Sequence, residues 1–436
     1  MERLHRQGKQ TLPIKVMQFG EGNFLRAFVD WMIERMNRQG VFNGAVRIVQ
    51  PLPQGMADVI NAQDGVYHVI LRGVENGKVI ESIEKIDCVD GCLNPATQWE
   101  DVIQTALLPE LRFVFSNTTE AGIEYRRDAD TFPAKIARIV TARARAGLRG
   151  LIFIPCELIE RNGEKLKECV LRYLDDPAVM EYVEKKCIFC NTLVDRIVAG
   201  YPRNEAPEYW KKIGVEDDLL VCGEPFFFFV IEGPGEVQKE FPADQAGLNV
   251  LFTNDQTPYR TRKVRFLNGA HTASVLGAHL AGLTFVDEMV RDDKFGKFLR
   301  DVLFEEILPT VPLPEKEKRA YAESVLERFA NPYAAHRLLS IALNSVSKWK
   351  VRVLPTLLDY QKLFGKLPPN LTQSMVYLIE FYRSGDNIQD SEEVKAFFAG
   401  KPSVREILGN TSFWGMDLNT IPGFTEAVEK GIVQEK

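Results

Sequence analysis

The start of the chain joins a short apolar stretch to a glycine turn and then to an amphipathic segment, and this order restricts the fold more than any other feature. Residues 14–19 (IKVMQF) predict a buried strand, and Gly20 and Gly22 follow it directly. From Phe24 to Met36, apolar side chains recur at helical spacing. A strand, a glycine turn and a helix in this order predict the first unit of a dinucleotide-binding α/β fold. In such a turn, backbone N–H groups and the helix N-terminus face a pyrophosphate.

Strand and helix patterns continue to alternate through the first half of the chain. Strands are predicted at 46–49, 111–115 and 151–155, and a helix is predicted from about 133 to 146. Asn76-Gly77 lies between two alternating stretches and predicts a tight hairpin turn. This alternation predicts an α/β layer built on a mainly parallel sheet.

Helical patterns dominate the chain after about residue 259. They cover 263–283, 295–308, 315–329 and 334–346, and prolines separate them. A chain of 436 residues is too long for one ordinary core. We therefore expect an α/β dinucleotide-binding domain over residues 1–259 and a mostly α-helical substrate and catalytic domain over residues 260–436.

Charge and hydropathy restrict the partners of the chain. A net charge of −6 argues against nucleic acid, because phosphate contacts need clustered basic residues. No apolar run approaches the roughly 20 residues that span a bilayer, and the charged first residues lack the apolar core of a signal peptide. We expect a cytoplasmic protein that acts on a small molecule and has no membrane partner, with its oligomeric state left open.

Seven cysteines are spread along the chain, and an odd number fits reduced thiols better than a disulfide framework. Cys187 and Cys190 have the spacing of a redox or zinc pair, and Cys88 and Cys92 lie four apart. A structural zinc site needs four ligands, and the neighbouring sequence offers no second Cys/His pair. We expect buried thiols and no metal, with a thiol redox function as the weaker alternative.

Residues 263–271 (KVRFLNGAH) contain the candidate catalytic side chains Lys263, Asn268 and His271. On an α-helix, Asn268 and His271 share a face, and Lys263 lies about two turns earlier and about 80° round from His271. Hydride transfer between an alcohol and a nicotinamide needs a group that exchanges the hydroxyl proton, which a desolvated lysine can do. An amide and an imidazole can bind the reacting oxygen. By spacing alone, a solvated lysine, a capping asparagine and a buried histidine explain the pattern slightly better than a catalytic set does.

Several stretches in sequential order resemble the polyol-specific long-chain dehydrogenases, typified by mannitol dehydrogenase. The stretches are GEGNFLRAF at 20–28, TEAG at 119–122, PCE at 155–157, VDR at 194–196, EPF at 224–226, KVRFLNGAH at 263–271, RFANP at 328–332, SK at 347–348 and LPT at 354–356. The resemblance implies a Rossmann-type N-terminal domain, an α-helical C-terminal domain and metal-independent hydride transfer with a nicotinamide cofactor. It also implies that Lys263 is the general acid/base, that Asn268 and His271 bind the reacting oxygen, and that Lys348 binds substrate.

Cofactor contacts are expected around the glycine turn and at the ends of the following strands. The candidates are Phe19, Gly20, Gly22, Asn23, Phe24, Gln50, Thr118 and Glu120. Gln50 stands where an acidic residue usually holds the cofactor ribose, and its amide can bind a 2′-hydroxyl. We therefore expect NAD, while the missing acid leaves NADP open.

Departures from the family pattern concern the substrate. Leu158 stands where mannitol-type enzymes have a loop asparagine, and Glu157 or Asn191 are the candidates to replace its amide. Arg260 stands where those enzymes have glutamate, three residues before Lys263. Because arginine binds carboxylates bidentately, Arg260 together with Lys348 predicts a sugar acid as substrate. A neutral-polyol dehydrogenase and a nucleotide-binding sensor without catalysis are the alternatives.

Overall fold

The computed structural model describes residues 1–127 and 129–434. The chain divides into two compact units, the first made of Met1–Arg72 and Ile80–Gln256, the second of Gly73–Val79 and Thr257–Lys436. The segment Gly73–Val79 is thus grouped with the later residues, whereas a division into consecutive stretches at residue 259 placed it in the first domain.

The first unit is built on a parallel sheet. Its strands, with those of two smaller sheets, are β1 Ile14–Phe19, β2 Ala45–Val49, β3 Tyr67–Glu75, β4 Lys78–Ile86, β5 Val89–Leu93, β6 Phe113–Ser116, β7 Ile152–Pro155, β8 Ile188–Phe189, β9 Asn191–Asp195, β10 Val198–Gly200, β11 Val221–Gly223, β12 Phe228–Glu232 and β13 Val250–Thr253. The main sheet has the order β5-β2-β1-β6-β7-β8, with every pair parallel. The strand order reverses between β1 and β6, and ligands of such sheets bind at the carboxyl ends of strands at this point.

Helices cover both faces of the main sheet, which explains why its strands are buried on both sides. The helices of this unit are α1 Asn23–Leu25, α2 Trp31–Arg38, α3 Ala57–Ala62, α4 Trp99–Ala106, α5 Phe132–Arg145, α6 Asn162–Leu171, α7 Pro177–Lys186, α8 Ala206–Ile213 and α9 Gly235–Glu240. A π-helical segment, Arg26–Asp30, joins α1 to α2 in one continuous helix. The mainly parallel α/β layer predicted from the sequence is confirmed.

Two smaller sheets complete the first unit, with the orders β10-β11-β3-β4 and β13-β12-β9. The turn between β3 and β4 is the one predicted at Asn76-Gly77, where φ is 51° and 70°. Positive φ at both positions is what a tight two-residue hairpin requires.

The second unit is mostly helical, as predicted. Its helices are α10 Thr257–Lys263, α11 Ala270–Leu280, α12 Val286–Arg291, α13 Asp293–Asp301, α14 Glu315–Phe329, α15 Leu338–Ile341, α16 Ser345–Arg352, α17 Leu354–Phe364, α18 Pro369–Ser384, α19 Glu392–Ala399, α20 Val404–Leu408, α21 Thr411–Trp414 and α22 Phe424–Gln434. Two π-helical segments, Val264–Gly269 and Val302–Ile307, interrupt the pattern. Among the described residues, no helix is both long and apolar enough to cross a membrane.

The prediction of one helix over 334–346 is wrong. The chain forms the short α15 and then breaks at Asn344, whose φ of 53° lies in the left-handed region, before α16 begins. Asparagine adopts this conformation more readily than other residues with a Cβ, so it ends one helical direction and starts another. The break matters for function because α16 carries Lys348.

Candidate functional site

The glycine turn after β1 has the geometry of a nucleotide-binding turn. Gly20 has a φ of 128°, and a Cβ there would lie 3.1 Å from both the carbonyl oxygen of Asn117 and Cδ1 of Leu25. Gly22 has an ordinary φ of −68° and is exposed, and a Cβ there would meet nothing within 4 Å. Gly20 is therefore required by the fold, whereas Gly22 leaves open space at the start of the long helix, where a phosphate group can approach.

Arg26 holds this turn in place, a role that the sequence reasoning did not assign. Its side chain is buried, and it donates to the carbonyl oxygen of Glu21 at 3.1 Å and to Oδ1 of Asn23 at 2.8 Å. A third bond, at 2.6 Å, reaches the carbonyl oxygen of Leu219. Its place in the GEGNFLRAF stretch was the available signal, and the structure shows that the arginine fixes the turn's backbone.

A buried carboxyl lies one helical turn further on. Asp30 is fully buried, and its Oδ2 accepts hydrogen bonds from Tyr67 Oη at 2.9 Å and Gln18 Nε2 at 3.5 Å. Burial raises the pKa of Asp30 to about 7, against the opposing hydrogen bonds and the charge of Arg26. Tyr67 also donates to the carbonyl oxygen of Arg26, so this network supports the helix that begins at the glycine turn.

Glu157 orders the loop that follows β6. Its Oε1 accepts from the backbone N–H and the hydroxyl of Thr118 at 2.9 and 3.0 Å, and its Oε2 accepts from Ser116 Oγ at 3.0 Å. Burial raises the pKa of Glu157, and these hydrogen bonds oppose the shift. Since both oxygens are engaged, the structure supports Glu157 as a positioning residue for the loop that carries Thr118. Its contact with substrate, in place of the missing loop amide, stays a prediction.

Asn191 is similarly engaged by its neighbours. Its amide nitrogen donates to Glu232 Oε1 at 2.9 Å and Glu164 Oε1 at 3.3 Å, and its Oδ1 accepts from the backbone N–H of Glu164 at 3.1 Å. The side chain is 4% exposed. A substrate could be bound by Asn191 only at the expense of these bonds, so this role also stays a prediction.

Gln50 shapes the loop after β2. Its Nε2 donates to the carbonyl oxygens of Leu52 and Pro53 at 2.8 and 3.0 Å, and its Oε1 accepts from the N–H of Ala57 at 3.1 Å. Both amide hydrogens are therefore committed to the loop. The predicted bond to a cofactor ribose is left to the second lone pair of Oε1.

The remaining predicted cofactor residues surround the turn in different ways. Phe19 is buried against Phe132, with ring centroids 5.0 Å apart, so its side chain packs in the core next to the turn. Phe24 is half-buried and stacks on Phe28 at 5.0 Å, and Asn23 is exposed. The side chain of Glu120 lies outside the described part of the structure.

Lys263 and Asn268 lie on either side of a change in helical geometry. Lys263 is the last residue of α10, Asn268 belongs to the π-helical segment Val264–Gly269, and His271 is the second residue of α11. The assumption of a regular α-helix over 263–271 is therefore wrong. In a π-helix the hydrogen bonds join residues five apart, so Lys263 and Asn268 come towards one side, as residues four apart do on an α-helix. Such segments occur frequently at functional sites.

His271 is the most unusual side chain of this helix. It is 6% exposed, its ring stacks on Phe329 with centroids 3.8 Å apart, and the ring of His336 meets it edge-on at 5.6 Å. Its buried Nε2 has no hydrogen-bond partner among the described residues. Burial, and after it the charges of His336, Arg328, Arg352 and Lys348, holds the pKa of His271 well below its ordinary value. The imidazole is therefore neutral at neutral pH.

Basic groups surround His271 from α14, α16 and the segment between α14 and α15. Lys348 and Arg352 lie four apart on α16 and thus on one face, where Lys348 Nζ donates to the carbonyl oxygen of Ile341 at 2.7 Å. Burial and the neighbouring Arg352 lower the pKa of Lys348, against the charge of Asp390. Burial also lowers the pKa of His336, with a further contribution from Lys348. Sequence reasoning identified only Lys348 of these groups.

Arg260 lies on α10 and is half-buried. Within residues 1–127 and 129–434 its guanidinium makes no hydrogen bond or ion pair. Nearby Arg262, in contrast, pairs with Glu317 at 2.7 Å and packs on the ring of Tyr321. The guanidinium of Arg260 therefore has no partner among these residues that an anionic ligand would have to displace, and its contact with a substrate carboxylate stays a prediction.

The cysteines form neither of the pairs that their spacing suggested. All seven are free and buried. Burial raises the pKa of Cys187 to about 11 and that of Cys190 to about 12. The nucleophile of redox exchange is the thiolate, so these thiols are poorly suited to that chemistry. Among the described residues no three His, Cys, Asp or Glu side chains group as metal ligands.

A mainly parallel sheet with a glycine turn at its switch point, followed in the chain by a mostly helical unit, is typical of nucleotide-dependent dehydrogenases. The family model described as the mannitol dehydrogenase Rossmann domain matches residues 14–244, and that of the mannitol dehydrogenase C-terminal domain matches residues 255–434. The chain belongs to the mannitol dehydrogenase family.

Several known proteins are similar in sequence to this chain over nearly its whole length. The altronate oxidoreductase of Phocaeicola vulgatus is 41% identical, covering 98% of this chain and 96% of that protein. The altronate oxidoreductase of Bacillus subtilis is also 41% identical, covering 95% and 91%. Two solved structures share the fold. One is a D-sorbitol dehydrogenase, with a TM-score of 0.80 and 21% identity over 97% of this chain and 92% of that one. The other is a ternary complex of Pseudomonas fluorescens mannitol 2-dehydrogenase with NAD and D-mannitol, with a TM-score of 0.73 and 20% identity over 99% and 94%.

Proposed function

We propose that this protein interconverts D-altronate and D-tagaturonate by NAD-dependent hydride transfer, a step in the breakdown of hexuronates. The relatives at 41% identity that carry the name altronate oxidoreductase support the substrate. The structural observation that carries the proposal is the buried, unpartnered Nε2 of His271 among basic groups. A hydrogen-bonding atom buried without a partner costs free energy, and a substrate oxygen placed there recovers it.

The residues of the glycine turn fit a dinucleotide. Gly22 leaves the space that a pyrophosphate needs, and Arg26 keeps the turn's backbone in the conformation that offers its N–H groups. When bound, the nicotinamide supplies a hydride to the carbonyl carbon or accepts one from the alcohol carbon. We assign cofactor binding to the first unit and the substrate and catalytic residues to the second.

The chain's own residues handle the proton and the oxygen. In the direction of reduction, Lys263 gives a proton to the oxygen as negative charge develops on it, and takes it back in the oxidation. His271 stays neutral, because burial and the neighbouring cations disfavour its protonation, and so it can donate one N–H without losing its proton. The Asn268 amide is the second donor. This division leaves Lys263 as the only one of the three that exchanges a proton.

Replacement of Lys263 by methionine tests the assignment, since methionine keeps much of the length and removes the amine. We expect turnover of tagaturonate to fall by at least about 100-fold, as removal of an acid/base group does, while the NADH dissociation constant stays within about twofold. The absorbance of NADH at 340 nm measures turnover, and a fluorescence titration measures the NADH dissociation constant.

Lys297 is an exposed lysine of α13, whose ion pair with Asp301 on the surface contributes little, and Lys297→Met is the matched control. The proposal is contradicted if Lys263→Met retains turnover, or if it loses NADH binding while keeping its fold. In the second case the lysine would belong to the cofactor site.

Substrate class is tested with the unaltered protein. Initial rates with NADH and NADPH are compared for tagaturonate, fructuronate and fructose. We expect tagaturonate with NADH to give the highest kcat/KM. A preference for fructuronate would make the protein a fructuronate reductase, and a preference for fructose would make it a neutral-polyol dehydrogenase, the two alternatives among enzymes. No turnover of any of them would favour a sensor that binds nucleotide without catalysis.

A further inference from the structure

Arg352 lies beside the proposed reaction centre and was not identified from the sequence. It is the last residue of α16, one helical turn after Lys348, and its Nη1 lies 3.5 Å from the hydroxyl of Thr272, the residue next to His271. The backbone of Arg352 also packs closely on the segment that precedes His271, since a Cβ on Gly269 would lie 2.9 Å from the carbonyl oxygen of Arg352. The end of α16 is therefore packed directly on the helix that carries Asn268 and His271.

The guanidinium of Arg352 makes no ion pair with a carboxylate in the described residues, although it is only partly exposed. Burial lowers its pKa, and its charge in turn lowers the pKa values of Lys348 and His271. Two neighbouring arginines of the second unit do have carboxylate partners: Arg262 pairs with Glu317 and Arg265 pairs with Asp359. Partly buried arginines are usually paired, because an unpaired cation is costly to remove from water.

We propose that Arg352, together with Lys348, binds the carboxylate of the substrate and so determines the preference for a sugar acid over a neutral polyol. The inference rests on the proposed function and names the residue that sets its specificity. Arg352 and Lys348 present a planar fork and a point charge from one helix face, and the fork matches a carboxylate bidentately. The hydroxyl of Thr272 orients the fork next to the imidazole that binds the reacting oxygen.

The positive charges of Lys348 and Arg352 would also disfavour a neutral substrate. Lys348 and Arg352 repel each other in a partly buried setting, and the charge of Asp390 offsets part of this effect on Lys348. An anionic substrate relieves this repulsion, whereas a neutral polyol must bind against it. Specificity for an acid would thus have two sources: the attraction between Arg352 and the carboxylate, and the repulsion between positive charges that a neutral substrate leaves in place.

Steady-state kinetics of Arg352→Met test the inference with a pair of substrates that differ in one group. The pair is tagaturonate and the neutral ketose that carries CH2OH in place of the carboxylate. We expect KM for tagaturonate to rise by roughly 100-fold, the effect of removing one partner of a buried charge pair, with kcat changed by less than about fivefold. KM for the neutral ketose should stay within about threefold, so the preference for the acid collapses.

Two further variants make the result specific. Lys350→Met removes a positive charge from the same helix, next to Gly415 and away from His271, and should leave both KM values unchanged. Arg352→Lys keeps the charge without the fork and should give an intermediate KM for tagaturonate, which provides the test if the methionine variant does not fold. Thermal unfolding and NADH titration of each variant establish that the fold and the cofactor site are retained.

Arg260→Met is the competing variant. If Arg352→Met and Arg352→Lys keep the preference for the acid while Arg260→Met loses it, the carboxylate is bound by Arg260 and the inference about Arg352 is wrong, although the proposed function stands. If the unaltered protein prefers the neutral ketose, the proposed function itself fails. If it prefers another sugar acid, the altronate assignment fails and the Arg352 test is made with that acid.

Discussion

Gly20 and Gly22 offer a test of the glycine turn in which fold and cofactor binding respond separately. At Gly20, alanine would adopt a φ of 128°, and its Cβ would lie 3.1 Å from the carbonyl oxygen of Asn117 and from Leu25 Cδ1. Backbone strain of this kind costs about 1–3 kcal/mol, and a tight contact with a main-chain oxygen adds to it. We expect Gly20→Ala to lower the free energy of unfolding by about 2–4 kcal/mol.

Gly22 differs in both respects, since its φ is −68° and a Cβ would meet nothing within 4 Å. Alanine gains about 0.4–1 kcal/mol from the reduced entropy of the unfolded chain and loses a comparable amount at the helix N-cap, where glycine is preferred to alanine. The free energy of unfolding of Gly22→Ala should therefore stay within about 1 kcal/mol of the original protein. Its methyl group occupies the space that the pyrophosphate would enter, so the NADH dissociation constant should rise at least about tenfold.

Urea denaturation followed by circular dichroism gives the free energies, and isothermal titration with NADH gives the dissociation constants. A Gly22→Ala protein that binds NADH as tightly as the original would refute the placement of the pyrophosphate at this turn. A Gly20→Ala protein of unchanged stability would show that the turn does not have the backbone conformation described here.

Three other predictions concern the support of the site. Because the pKa of Asp30 is raised in the fold from 3.8 to about 7, the folded state binds more protons, and the free energy of unfolding falls by up to about 4 kcal/mol as pH rises from about 4 to 7. Asp30→Asn should abolish this fall in denaturation measured at several pH values. Glu157→Gln turns an amide towards the donors of Thr118 and should raise the NADH dissociation constant severalfold in the same titration. Arg112→Met removes a buried guanidinium that bonds two carboxylates and should cost about 2–4 kcal/mol by urea denaturation, whereas Arg149→Met, which removes an exposed partner of the same carboxylates, should cost less than about 1.

The fold was largely predictable from the sequence because its signals are local. The strand Ile14–Phe19, the helix Glu315–Phe329 and the hairpin turn at Asn76-Gly77 lie where periodicity and turn residues placed them. The predicted helix over 334–346 was wrong because periodicity does not register a single residue in the left-handed conformation. The change of geometry at Val264–Gly269 was missed for a related reason, since a π-helical segment depends on packing around the helix.

The candidate site was predictable only in part. Lys263, Asn268 and His271 are close in sequence and matched a known motif, so they could be proposed together. Arg352 lies far along the chain on a separate helix and has no motif, and only the folded structure shows it beside Thr272. Glu157 and Asn191 were proposed for their chemical type, yet a sequence does not show that their oxygens and amide hydrogens are already engaged.

The charges around His271 serve two requirements of the proposed reaction at once. The imidazole must remain neutral to donate a hydrogen bond without becoming a competing acid, and burial together with His336, Arg328, Arg352 and Lys348 keeps its pKa low. Two of these groups, Lys348 and Arg352, would bind the carboxylate of a sugar acid, which would partly neutralise them and weaken their effect on the imidazole. Because burial is the largest cause of the shift, His271 should stay neutral even with the anion bound. Recognition of the acid and polarisation of the reacting oxygen can therefore share one group of residues without conflict.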